Sequence, residues 1–90
     1  MRFEWDEKKA ARNLVKHGVS FEEAVTVFSD PLSNTFPDPD HSHYEHRFII
    51  IGAAESGKIL VVAHTDDESS VRIISAREAT SGERKCYEEN

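Results

Sequence analysis

The sequence predicts an α+β fold, with two N-terminal helices packed on a small antiparallel sheet of three or four strands and a helix at the C-terminus. Three observations carry this. The first 30 residues hold two helical periodicities, each opened by a capping residue. Residues 47–77 hold three successive apolar runs joined by short polar turns. Helices followed by consecutive strands and a last helix belong to α+β architectures rather than to alternating α/β ones.

Taken in order, Phe3-Glu4-Trp5 reads as a short opening strand. Asp6 is an N-cap for a helix over Glu7–His17, with Ala10, Ala11, Leu14 and Val15 turned to the core. Gly18 supplies the left-handed residue that ends it. Ser20 caps a second helix, with Glu23 completing a capping box and Val19 stapling toward Ala24. Phe21, Ala24, Val25 and Phe28 form its apolar stripe, and Asp30-Pro31 stops it. Leu32–Phe36 reads as a strand, and Pro37–Glu45 as a polar loop. Strands follow over Arg47–Ala53, Lys58–Thr65 and Val71–Arg77, the first two joined through Glu55-Ser56-Gly57. Thr80 and Glu83 form a further capping box that starts the last helix.

Ninety residues suit a single domain, 1–90. With 38% hydrophobic and 31% charged residues the chain has a globular composition. One cysteine, Cys86, and the lack of a long apolar run predict a cytoplasmic protein without a membrane span or internal disulfide. The net charge of −6 opposes general nucleic-acid binding, yet its distribution is uneven. Residues 21–45 carry six acids and no Lys or Arg, whereas residues 1–20 carry five basic residues against three acids. The two ends are therefore free to build a locally basic cleft.

The chemistry-bearing residues cluster in the last third. His64, Arg72 and Arg77 are borne on strands, where functional groups are held most accurately. A guanidinium clamps phosphate oxygens in a fork, and an imidazole moves a proton near neutral pH, so the set suits a phosphodiester. Each also has a plain reading. Arg77 pairs with Glu78 or Glu83 in an ion pair, Arg72 pairs with nearby acids, and His64 is a half-buried histidine satisfied by backbone. Strict alternation puts Arg72 and Arg77 on opposite faces unless a bulge intervenes. Arg47, Lys16, Lys85 and Tyr87 are further candidates for RNA contact; helix capping explains Lys16, a solvated face Lys85, and core packing Tyr87. Trp5 reads as core. His41, His43 and His46 with Asp38 and Asp40 offer metal-ligand types in a loop, and the favoured reading there is a hydrophilic loop without a metal. No glycine-rich phosphate loop occurs, and no cofactor is expected.

Several blocks in order resemble the BrnT toxin family: FEWDEKKAARNLVKHGVSFEEA (Phe3–Ala24), VFSDPL (Val27–Leu32), the DPDHS loop (Asp38–Ser42), RFIIIG (Arg47–Gly52) and RIISAREAT (Arg72–Thr80) with ERKCYEE. The resemblance implies a RelE-like fold and a metal-independent RNA endonuclease that inhibits translation as the toxin of a type II toxin–antitoxin system. It implies a BrnA-like antitoxin with a ribbon-helix-helix part, a hetero-oligomer with it, and operator DNA contacted only through it. It also makes Arg77 the first candidate for the scissile phosphate, with His64 as the proton-transfer group and Arg72 beside them. Glu78 and the acidic Asp66-Asp67-Glu68 turn favour an alternative from another class, a catalytically silent homologue that binds the antitoxin and tunes repression.

Overall fold

Asp6 starts the first helix as its type predicts: the extended residue turns its carboxylate to accept from Lys8 N and Lys9 N at 2.8 and 3.1 Å. In the computed structural model, which describes residues 1–40 and 46–89, the chain runs through β1 (Arg2–Glu4), α1 (Glu7–His17), α2 (Phe21–Thr26) and a 3-10 turn (Val27–Ser29). It continues through β2 (Asn34–Pro37), β3 (Arg47–Ala53), β4 (Ile59–Asp66), β5 (Ser70–Glu78) and α3 (Ser81–Glu89). No described helix is long and apolar enough to cross a membrane.

The strands form one sheet in the spatial order β1-β5-β4-β3-β2. All neighbours are antiparallel except β1, which lies parallel to β5 through Arg2–Ser70, Phe3–Val71 and Glu4–Arg72. Five strands exceed the expected three or four, because the short segments read at Phe3–Trp5 and Leu32–Phe36 both pair into the sheet as its edges. β1 has three residues and β2 four.

One face of the sheet, carrying Ile50, Leu60, Val62, Val71, Ile73 and Ala76, is buried against Val19, Phe21, Ala24 and Val27 from the helical layer. Gly18, at φ 70°, lets α1 reverse into α2, and its N–H donates to Leu14 O at 2.8 Å. Gly52 serves a different need. A Cβ there would lie 2.8 Å from Ser33 Cβ and 3.0 Å from Val27 Cγ1, so a bare backbone is what lets the 3-10 turn settle on β3.

The orientation of α1 departs from expectation. Leu14 and Val15 are 51% and 89% exposed, and Ala11 is exposed, whereas Asn13 is only 7% exposed. The cause is a backbone requirement. β1 stops beside Arg72, leaving the edge of β5 beyond it without a neighbouring strand. Asn13 substitutes for that strand: its Nδ2 donates to Ala76 O at 2.8 Å and to Val19 O at 2.9 Å, and its Oδ1 accepts from Ala76 N at 3.1 Å. Satisfying three buried backbone groups outweighs burying Leu14 and Val15, since an unpaired buried peptide group costs about 1–3 kcal/mol.

Candidate nucleic-acid interface

The face of the sheet away from α1 and α2 is where the cationic residues meet, and a bulge brings them there. His64 pairs with Ile73 and Ala63 with Ser75, so Ile74 has no partner on β4. This extra residue reverses the alternation midway along β5. Arg72, Ser75 and Arg77 consequently share one face, although five positions separate the two arginines. The cross-strand registers build three rungs on it: Arg47–Thr65–Arg72, Ile49–Ala63–Ser75, and Ile51–Val61–Arg77. Arg47 and Arg77 line a depression of about 250 Å³ together with Asp38, Asp40 and Ser75, over an apolar floor that includes Ile49 and Val61.

Carboxylates already engage Arg72 and Arg77. The Arg77 guanidinium grips Glu83 in a fork, Nη1 to Oε1 at 2.7 Å and Nη2 to Oε2 at 2.9 Å, and also donates to Glu78 O at 3.2 Å. Glu83 is the third residue of α3, and its Oε1 accepts from Thr80 N at 2.9 Å while its own N donates to Thr80 Oγ1 at 3.2 Å. The capping box foreseen in the sequence thus also positions the partner of Arg77. Hydrogen bonds from Arg77, more than from Thr80, pull the Glu83 carboxyl down to about 2, and the same contact raises the Arg77 guanidinium. Arg72 sits farther out, 3.8 Å from the Glu4 carboxylate, whose other oxygen lies 3.8 Å from Arg2.

His64 does not join this set. It projects from the opposite face of β4 and is 2% exposed, edge-on to Phe28 with ring centroids 4.9 Å apart and stacked on Phe48 at 5.9 Å. The expectation that it shares a site with Arg77 therefore fails on placement, because period 2 along β4 turns it into the helical layer. Neither ring nitrogen has a hydrogen-bond partner, and Nδ1 stays 3.6 Å from Asp66 Oδ1. Burial lowers its pKa against the opposing pull of Asp66, so the ring is neutral at pH 7.

The remaining candidates scatter. Tyr87 donates its hydroxyl to Asp30 Oδ2 at 2.5 Å, a bond that raises the phenol; the same oxygen accepts from Ala53 N at 2.8 Å. This ties α3 to the 3-10 turn and β3, a structural task. Lys85 is exposed on α3, about 200° around the helix from Glu83. Lys16 is exposed on α1, beyond the free edge of β5. Trp5 packs edge-on to Phe21 at 5.9 Å, beside the core. His41 and His43 lie outside the described residues; among those described, no group of three His, Cys, Asp or Glu is arranged to hold a metal.

Two features of the depression escaped the sequence reading. Asp38 and Asp40 reach it because β2 pairs with β3 and delivers Asp38 beside Arg47, with Asp38 N donating to Arg47 O at 3.0 Å. Ser75 reaches it only through the Ile74 bulge. The Pro37-Asp38-Pro39-Asp40 run after a strand was the available signal for the acids; none announced the bulge.

Comparison with known proteins decides the family. The profile described as "Ribonuclease toxin, BrnT, of type II toxin-antitoxin system" matches residues 5–83. The chain belongs to the BrnT toxin family. A solved relative, the Brucella abortus ribonuclease toxin BrnT, is 27% identical, superposes with a TM-score of 0.70, and is matched over 90% of this chain and 99% of its own. No curated protein sequence matches the chain. Membership makes this the ribonuclease-toxin half of a type II pair, with an antitoxin as its partner. Arg47, Arg72 and Arg77 of the BrnT chain all fall inside the matched region.

Proposed function

We propose that the open sheet face binds an RNA strand and cleaves it by in-line attack of a ribose 2′-hydroxyl. The convergence of Arg47, Arg72 and Arg77 on that face through the Ile74 bulge is the observation that carries this reading. Arg77 clamps the scissile phosphate in the fork that now holds Glu83, and neutralises the charge that builds on its oxygens in the transition state. Arg47 and Arg72 hold neighbouring phosphates. Asp38 and Asp40, in the same depression, accept the 2′-hydroxyl proton in place of the distant His64. As the 2′-oxygen bonds to phosphorus the bond to the 5′-oxygen breaks, and that oxygen takes a proton from solvent to leave as a hydroxyl, a sequence that requires no metal. Lys16, Lys85 and Tyr87 lie outside this depression, and Tyr87 is committed to Asp30.

The fold kinship with RelE-type nucleases, translation as the target, and a BrnA-like ribbon-helix-helix antitoxin that carries operator binding belong to the same proposal. So does action on mRNA in the cytoplasm. They rest on the family match. Purified chain incubated with RNA and EDTA should yield shortened products ending in 2′,3′-cyclic phosphate. Arg77→Ala should slow cleavage by about a hundredfold or more, the usual cost of one transition-state donor. RNA left intact by folded wild-type chain would refute the enzymatic reading.

A second reading is favoured by the carboxylates on Arg77 and Arg72. In it the chain is a silent homologue that binds the antitoxin and tunes repression. Expression without antitoxin separates the two, since a live nuclease arrests growth and its Arg77→Ala variant does not.

A further inference from the structure

Arg72 and Arg77 on the open face are held by acids, yet another set of cations in this acidic chain is not. Lys9, Arg12 and Lys16 recur at helical spacing along one side of α1, and with His17 they face Ile74 and Ser75 across a groove of about 360 Å³. None of the three makes an ion pair with a described carboxylate. The acid in their field is Asp6, already spent on capping α1 through Lys8 N and Lys9 N, and Lys9 and Arg12 help hold it ionised. The groove exists because β1 ends early and Asn13, not a strand, seals the edge of β5.

We propose that this groove is an RNA-backbone track that feeds the cleavage depression. The inference rests on the ribonuclease reading above and extends it to a second surface. Two observations favour an RNA strand over an acidic protein segment. Ser75 lines both the groove and the depression that holds Arg77, so the two surfaces are continuous over the Ile74 bulge. Lys9 to Lys16 spans about 10 Å of helix axis, a length that accommodates about three phosphates at the roughly 3.4 Å rise per nucleotide of a helical strand. A strand laid along α1 thus meets unneutralised cations first, and its phosphates arrive at Arg77 able to displace the Glu83 carboxylate.

The test uses the full chain and a fluorescein-labelled 2′-O-methyl oligoribonucleotide, which cannot undergo 2′-hydroxyl attack. Its affinity is measured by anisotropy across a potassium chloride series, with cleavage of ordinary RNA followed in parallel. The triple variant Lys9→Ala, Arg12→Ala, Lys16→Ala takes the net charge from −6 to −9. A control with Arg2, Lys58 and Arg84 changed to Ala takes it equally from −6 to −9. All six side chains are exposed, and melting curves verify folding. Loss of three contacts should weaken binding about tenfold or more and flatten the salt slope by about 2, at roughly 0.7 per phosphate on a single strand. KM for RNA should rise with kcat kept, and the control should retain most of the affinity. Equal losses in both triples, or an unchanged slope in the Lys9, Arg12, Lys16 variant while the wild type still cleaves, overturns the track and leaves the nuclease reading standing. Unchanged oligonucleotide binding with weakened antitoxin capture makes the groove a protein surface and overturns it too. A wild type that neither binds nor cleaves RNA removes both proposals.

Discussion

Replacing Glu83 with glutamine separates two roles that one contact now combines. The folded carboxyl titrates at about 2 against a reference of 4.5, a difference of 2.5. At about 1.4 kcal/mol per pKa unit that corresponds to about 3.4 kcal/mol if the pair were fully shielded. The Arg77 and Glu83 side chains are 40% and 31% exposed, however, so solvent screening reduces the contribution to about 1 kcal/mol. Glu83→Gln should therefore melt about 4–8 °C lower near neutral pH. The sign of the pH dependence follows from the lowered carboxyl: its stabilisation is complete above pH 4.5 and is lost as pH falls toward about 2. Wild type and variant should converge in acid. Cleavage should move the other way. Removing a competitor worth about 1 kcal/mol from the phosphate clamp should raise activity at subsaturating RNA about fivefold. Thermal melts and initial rates on one preparation read both effects, and Arg77→Ala, Glu83→Gln completes the cycle. A variant that is less stable and no more active would show that Glu83 does not compete for the RNA-binding form of Arg77.

Two further expectations concern the scaffold. Asn13→Ala leaves two backbone groups of Ala76 and the Val19 carbonyl without their partner, and should lower stability by about 3 kcal/mol in urea unfolding while Leu14→Ala, at an exposed site, changes little. His64→Phe should keep RNA cleavage, because the ring sits in the helical layer between Phe28 and Phe48. Its pH signature is specific. A histidine whose folded pKa lies below 6.5 destabilises the fold as pH drops through 6.5, since the unfolded chain takes up a proton the folded chain resists. Melting temperatures between about pH 5 and 8 should slope downward into acid for wild type and less for the variant.

Local chemistry was enough to read most elements. Caps at Asp6, Ser20 and Thr80 and the apolar runs placed the starts of the three α-helices and the central strands within a residue of where they lie, whereas α2 ends at Thr26 and gives way to the 3-10 turn before the Asp30-Pro31 stop. These signals act through neighbours in the chain, so they are visible without the fold. Family membership was legible for a related reason, since several blocks kept both their residues and their order.

Local sequence therefore sets the inventory: a sheet with helices, the cationic residues, and the acidic middle that confines them to the two ends. Which of those residues meet was decided only in three dimensions. One unpaired residue, Ile74, turns Arg77 onto the face of Arg72 and leaves His64 on the other, and no local preference marks it as a bulge. Asn13 is buried instead of Leu14 because a strand edge 63 residues later in the chain needs its amide. Side-chain facing and backbone satisfaction depend on register and on partners remote in the chain, and register exists only once the sheet has closed.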